Sequence, residues 1–168
     1  TMNELVITDE LTGLFNANHF HELLERETDR TRRYKTEFSL VFLDLDHFKG
    51  VNDTHGHLVG SRILSEFGRF MKKHVRSSDL CARYGGDEFV IILPSTSKQG
   101  ALAMVNNLRT MVAENVFLAD NGERIRVTAS YGISSCPEDG TTREALIRVA
   151  DSAMYDVKGA SRDGVKAY

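Results

Sequence analysis

Cysteine is scarce: Cys81 and Cys136 are the only two in 168 residues, and they share no CxxC or other metal-ligand spacing. That argues against a disulfide framework or a thiolate metal site, and a reduced, cytosolic setting is expected. Cys81 falls in a predicted strand, where a thiol serves as a small core residue. Long apolar runs are missing too. None approaches the ~18–20 residues that a bilayer span requires, so no insertion of this segment into a membrane is expected. Charge of one sign is also lacking: 21 Lys and Arg stand against 24 Asp and Glu, a net of −3. The chain as a whole therefore carries no basic footprint for nucleic acid or an anionic membrane. No signal peptide is visible, and Thr1-Met2 reads as a cloning remnant or a cut from a longer protein. With no internal repeat, low-complexity tract or linker, residues 1–168 are expected to form one domain.

What is present suits a globular chain with a sizeable core: 41% hydrophobic and 27% charged residues. Asn18 to Arg33 reads as a helix with Phe20, Leu23 and Leu24 along its apolar stripe. Phe38 to Leu45 is nearly all apolar, as in a strand buried on both faces. Gly60 to Val75 carries Ile63, Leu64, Phe67, Phe70 and Met71 at helical spacing. Leu80 to Arg83 and Phe89 to Leu93 read as paired strands. Gly85-Gly86 would make the hairpin turn between them, glycine's tolerance of positive φ being the expected reason. Lys98 to Ala113 and Thr142 to Lys158 read as helices. Arg124 to Ile133 alternates like a strand after an Asn121-Gly122 turn, and Val165 to Ala167 as a short last strand. Helices alternating with strands around a central hairpin predict a mixed sheet with helices packed on it.

Two stretches break the pattern of a plain core. In SLVFLDLDHFK, Asp44 and Asp46 follow directly on residues that belong deep in a sheet. Charges at the end of a buried strand are costly unless paired or bound to a cation. In ARYGGDEFVIIL, Asp87 and Glu88 sit at the mouth of another buried strand. If the two strands are neighbours, Asp44 and Asp87 can share one Mg²⁺, with backbone oxygens and substrate phosphates completing the set. The plainer readings are a solvated turn for Asp87 and a cap of the following turn for Asp44 or Asp46. HFKGVNDTHGHLVGSRIL loosens into a turn at Gly56 and Gly60 before the long helix. Helix N-termini and loop N–H groups suit phosphate, and Lys49 adds a point charge. His55 and His57 lack a third ligand at zinc spacing. Lys158 and Arg162, four apart, share a helix face if that helix continues, and form a phosphate clamp beside a metal site.

Taken in order, these motifs resemble the GGDEF family of diguanylate cyclases over nearly the whole chain. Asp9, Leu11-Thr12-Gly13-Leu14 and Asn16 match its opening DxLTGLxN. Leu43 to Lys49, Asn52-Asp53 and Gly56-His57 match its central run. Arg83 to Phe89 is the signature, and Ala150-Asp151, Ala153, Tyr155, Lys158 and Arg162 match its closing helix. The resemblance implies an α/β (α+β) fold with a central five-stranded sheet, like the palm of nucleotide cyclases and polymerases. It implies that Asp44, the Leu45 carbonyl and Asp87 bind Mg²⁺ (or Mn²⁺), and that Glu88 handles a proton or supports the metal. Lys49, Lys158 and Arg162 are implied to neutralise a triphosphate. Asn52 would read a base edge, with Phe48, His57, Gly85 and Gly86 around the nucleotide. The implied reaction joins two nucleoside triphosphates held by two domains that face each other in a homodimer. Residues 1–8 would connect to a sensor or receiver domain.

The chain departs from the family pattern at three places. Ala17-Asn18 replace a usual basic pair, and Ser161 and Asp163 flank Arg162 where Gly and Asn are usual. Ser61 stands where the family has an Asp that recognises guanine. A carboxylate only accepts hydrogen bonds, whereas a hydroxyl donates and accepts, so Ser61 suits either purine. Hybrid promiscuous members carry Ser there and make cyclic GMP-AMP, so ATP beside GTP is the implied substrate. Arg76-Ser77-Ser78-Asp79 matches the family's RxxD inhibitory site for the cyclic dinucleotide product, arginine being able to grip guanine bidentately. The competing expectations are a catalytically silent receptor working through Arg76 and Asp79, and a regulatory module that binds GTP without releasing pyrophosphate. Both signature acids, with Asp44, Lys158 and Arg162, favour the enzyme.

Overall fold

Phe38–Leu45, the run that reads as buried on both faces, lies at the centre of the sheet. In chain order the elements are α1 (Ala17–Tyr34), β1 (Phe38–Leu45), α2 (Phe48–His55), α3 (His57–His74), β2 (Leu80–Arg83), β3 (Glu88–Pro94), α4 (Lys98–Glu114), β4 (Phe117–Leu118), β5 (Arg124–Ile125), β6 (Ala129–Cys136), α5 (Arg143–Gly159) and β7 (Val165–Ala167). This is a computed structural model, and it describes residues 6–118 and 122–168. Five strands form one sheet in the order β2-β3-β1-β6-β7. β1 is antiparallel to β3 and β6, β2 is antiparallel to β3, and β7 runs parallel to β6. The expected mixed five-stranded sheet is therefore present.

Alternate residues of β1 face opposite layers, because side chains change face at every step along a strand. Val41 and Leu43 pack with Ile63, Phe67 and Met71 of α3 and Val105 and Leu108 of α4. Phe38, Leu40 and Phe42 pack with Phe20 and Leu24 of α1 and Leu146, Ala150 and Met154 of α5. Three helix starts follow the cap rules. Asn16, Ser97 and Thr142 accept from the N–H groups of His19, Gly100 and Ala145, each occupying an otherwise orphaned donor. Ahead of α1, Phe15 bridges in parallel to Ala82 on the outer side of β2. No helix among the described residues is long and apolar enough to cross a membrane.

Four expectations need correction. The run from Arg124 to Ile133 is not one strand: Arg124–Ile125 pairs with β4 in a separate two-stranded sheet, and β6 starts at Ala129. The long helix starts at His57, and Phe48–His55 ahead of it is a helix of its own, with Gly56 at φ 90° between them. α5 ends at Gly159, so Arg162 lies beyond it, in a turn at φ 51°. Neither Gly85 nor Gly86 has positive φ. Asn121 of the expected Asn121-Gly122 turn lies outside the described residues.

Candidate active site

The antiparallel register sets the site. β1 ends where β3 begins, so Asp44 lies opposite Glu88 and the Leu45 N–H donates to the Asp87 carbonyl at 3.1 Å. Asp44 and Asp87 are thereby brought together, as their places at two strand ends predict. Asp44 Oδ1 is buried and has no hydrogen-bond partner. Burial first, then the Asp87 charge, pushes the Asp44 carboxyl up to about 7, with Lys158 opposing. Burial, Asp151 and Asp87 likewise hold Glu88 above the usual carboxylate range. Crowded acids at one strand end are what a cation would relieve.

Asp44 and Asp46 do different work, and neither caps α2; its cap residue is His47, which makes no side-chain cap bond. Asp46 is fully enclosed, its side chain 1% exposed. Oδ1 accepts from Ser130 Oγ at 2.7 Å and Lys158 Nζ at 3.0 Å. Oδ2 accepts from Thr128 Oγ1 at 2.7 Å and the Asp163 N–H at 2.9 Å. Burial alone would raise this carboxyl, but the four donors outweigh it and hold it below the ordinary range. Its lone pairs are committed, so Asp46 has none to give a metal. Lys158 reaches from α5 to the Leu45 carbonyl at 3.0 Å and to Asp44 Oδ2 at 3.6 Å. A positive charge thus already rests against the two β1 oxygen donors expected to bind a cation.

Beside the carboxylates lies a cavity of about 400 Å³ lined by Phe48, Lys49, Asn52, His57, Ser61, Leu64, Arg83, Gly86 and Asp87. Seven of these are residues that the sequence marks as catalytic or substrate-binding. Helix α2 brings Phe48, Lys49 and Asn52 to it, and the first turns of α3 bring His57 and Ser61. The close approach of these helices rests on Gly60, where a Cβ would fall 1.8 Å from Asn52 Oδ1. The glycine pair serves two other ends. A Cβ on Gly85 would meet Glu88 Oε1 at 2.7 Å, whereas one on Gly86 would meet nothing within 4 Å. Gly86 therefore leaves open the space into which a ligand can approach the backbone. Gly85, Glu88, Asp44, Lys158 and Arg162 stand outside the cavity lining, and Arg162 is exposed.

Two residues at the site have roles that the sequence motifs did not give them. Arg83 donates to the carbonyls of Gly85 at 3.1 Å and Gly86 at 2.8 Å, and pairs with Asp9 at 3.4 Å, which fixes the turn. Asp46 is the other. At the far end of β2, Arg76 pairs with Asp79 at 2.8 Å and donates to Thr96 Oγ1 at 2.7 Å, while its side chain stays 51% exposed. His55, set beside His57 in the sequence reading, instead faces Glu123. No cluster of three or more His, Cys, Asp or Glu side chains suited to a metal occurs among the described residues. A cation here would rest on two carboxylates, a carbonyl and ligand oxygens, a donor set that fits Mg²⁺.

Carboxylates crowded at the end of a buried strand, next to a cavity lined by Lys49, Asn52, His57 and Ser61, form the candidate site. Comparison with known proteins gives the family of the chain. The family profile described as "Diguanylate cyclase, GGDEF domain" matches residues 6–164, and the chain belongs to that family. It is 38% identical over 163 residues to the response regulator PleD of Caulobacter vibrioides, covering 96% of this chain and 36% of PleD. It is 40% identical over 157 residues to the diguanylate cyclase DgcP of Pseudomonas aeruginosa, covering 94% of this chain and 23% of DgcP. The chain thus spans well under half the length of these relatives. The GGDEF domain of DgcB from Caulobacter crescentus, solved in complex with c-di-GMP, superposes with a TM-score of 0.89 at 28% identity, covering 98% of this chain and 97% of that one.

Proposed function

We propose that the chain condenses two purine nucleoside triphosphates into a cyclic dinucleotide, with cyclic di-GMP from two GTP as the basic product. The observation that carries this reading is the Asp44–Asp87 pair, with one orphaned carboxylate oxygen, beside a cavity of about 400 Å³. Kinship supports it: DgcP is described as a diguanylate cyclase, and the DgcB domain was solved with c-di-GMP.

In each of two steps, the 3′-hydroxyl oxygen of one nucleotide bonds to the α-phosphorus of the other. The bond to the bridging oxygen breaks, pyrophosphate leaves, and the hydroxyl proton is taken up. Asp44, Asp87 and the Leu45 carbonyl would hold Mg²⁺, or Mn²⁺ on the same oxygen set. When bound, the ion supplies charge neutralisation at the phosphates and activation of the attacking hydroxyl. Glu88 is the remaining carboxylate at the strand end, available to the proton or to the metal's support. Lys158 and Arg162 approach the phosphates from the α5 side, and Lys49 from the cavity side. Asn52 reads the base edge, with Phe48 and His57 around it, and Gly86 lets the backbone come close. One chain holds one nucleotide, so two copies must face each other, each supplying one attack.

Ser61 lines the cavity and motivates a second reading: with ATP present, 3′,3′-cyclic GMP-AMP forms beside cyclic di-GMP. Arg76 and Asp79 are the proposed seat of the dinucleotide product as a feedback ligand. The test is to incubate the protein with GTP and Mg²⁺, following pyrophosphate and identifying dinucleotides by mass. Cyclic di-GMP should appear, the initial rate should rise faster than linearly with protein concentration, and Asp87→Asn should abolish turnover with the fold intact. If GTP yields no pyrophosphate while a cyclic dinucleotide still binds, the protein is a receptor and the synthase reading fails.

A further inference from the structure

The buried carboxylate of Asp46 makes four hydrogen bonds, and its partners come from widely separated parts of the chain. Ser130 belongs to the start of β6 and Thr128 immediately precedes that strand, Lys158 belongs to the last turn of α5, and Asp163 to the turn beyond α5. The last two matter for the phosphate side of the site. Lys158 Nζ is stretched between Asp46 Oδ1 and the Leu45 carbonyl, both at 3.0 Å, which fixes the ammonium at the end of β1. Arg162 and Asp163 are consecutive non-glycine residues in the left-handed region, at φ 51° and 42°. Such a pair is unfavourable unless its surroundings over-determine it. Here the Arg162 N–H donates to the Val157 carbonyl at 2.9 Å, the Asp163 N–H donates to Asp46 at 2.9 Å, and the Asp163 carboxylate pairs with Arg109 of α4 at 3.3 Å. One carboxylate therefore holds both the lysine and the turn that carries the arginine.

We infer that Asp46 is a positioning residue for triphosphate recognition: its four-way hydrogen-bonded carboxylate sets the places of Lys158 and the Arg162 turn. It touches neither base nor metal. This rests on the proposed synthase reading, in which Lys158 and Arg162 meet the phosphates. Because α2 and α3 carry the base-side residues and Lys49, Asp46 governs the phosphate contacts of Lys158 and Arg162 and leaves base recognition alone. Asn at this position keeps the shape, but its amide nitrogen can only donate. Whichever way it turns, an obligate donor, the Lys158 ammonium or the Asp163 N–H, then faces another donor, while the Ser130 or Thr128 hydroxyl beside it must turn round to accept.

The discriminating experiment measures binding of 3′-deoxy-GTP, which lacks the attacking hydroxyl, and of GMP, both in Mg²⁺ by calorimetry. The unmodified protein should bind the triphosphate more tightly than the monophosphate. In Asp46→Asn that preference should fall tenfold or more, while the GMP affinity stays within about twofold. In a Lys158→Met background, the same change should cost much less, since Asp46 acts largely through Lys158. If Asp46→Asn does not fold by circular dichroism, Thr128→Val, which removes one donor from the same carboxylate, should lower the preference several-fold. An unchanged preference in the folded variant, tighter triphosphate binding, or equal losses for both nucleotides overturns the inference and leaves the synthase reading standing. No triphosphate preference in the unmodified protein overturns both.

Discussion

At the scale of the residue, the proposed choice between two purines rests on Ser61. Its hydroxyl lines the cavity beside Asn52 and His57, and it can donate or accept. Ser61→Asp should restore an acceptor-only group that suits guanine N1–H and repels the adenine N1 lone pair. A mismatch of ~1–3 kcal/mol corresponds to a preference of roughly five- to 150-fold. With GTP and ATP equimolar, the unmodified protein should make cyclic GMP-AMP as a substantial product, and Ser61→Asp almost only cyclic di-GMP. Mass analysis showing the same mixture from both would remove base choice from this position. Some residues of the site were legible from the chain because they violate burial rules. Asp44 and Asp87 stand out as acids ending apolar runs. Asp46 looks the same in the sequence, yet its role is tertiary, fixed by partners 82 to 117 positions away. The glycine pair was legible as a pair, but its reason was not. Backbone angles do not require it; a Cβ on Gly85 would crowd the Glu88 carboxylate, and Gly86 leaves its surroundings open.

At the scale of elements, the seating of α5 on β6 matters most to the site, since α5 carries Lys158. Gly132 of β6 allows it: a Cβ there would lie 2.1 Å from the Ala150 carbonyl oxygen and 2.3 Å from the Met154 nitrogen. Both are backbone atoms, which cannot swing aside, so Gly132→Ala must push the helix away. Overpacking of this kind costs ~1–3 kcal/mol, and ~1 kcal/mol lowers Tm by about 2–4 °C in a chain of this size. Thermal melting should show a loss of at least about 2 °C, and pyrophosphate release should slow as Lys158 is displaced. A variant that melts and turns over like the parent would show that α5 is not held by this contact. The strongly periodic elements, α1, α3, α4, α5 and β1, were readable because each buries one or both faces. α2 was not: its eight residues bury only Phe48, and no side chain caps it. The alternation from Arg124 to Ile133 concealed the change of sheet, because a period of two continues through a bend. The spacing of Lys158 and Arg162 suggested one helical face, although the chain leaves the helix between them.

At the scale of the whole molecule, β2 joins two regions that the proposal links by feedback. Arg83 at one end clamps the signature turn, and Arg76, just before the other, presents a half-exposed guanidinium among hollows of about 410 and 390 Å³. If the product settles there, Arg76→Ala should weaken inhibition by added cyclic di-GMP at least tenfold and leave the uninhibited rate near that of the parent. Superimposable inhibition curves would reduce the Arg76–Asp79 pair to a surface ion pair of ~0–1 kcal/mol. The bridge from Phe15 to Ala82 has a separate consequence, for how copies of the chain meet. Its N–H donates to the Cys81 carbonyl at 3.2 Å, and its carbonyl accepts from the Arg83 N–H at 2.9 Å. Those are the outward-facing backbone groups through which β2 would otherwise recruit a foreign strand. The opposite margin, β7, is only three residues long. With those groups taken, the β2 border of the sheet is a poor template for a further strand, so copies of the chain that meet there find no free ladder to extend.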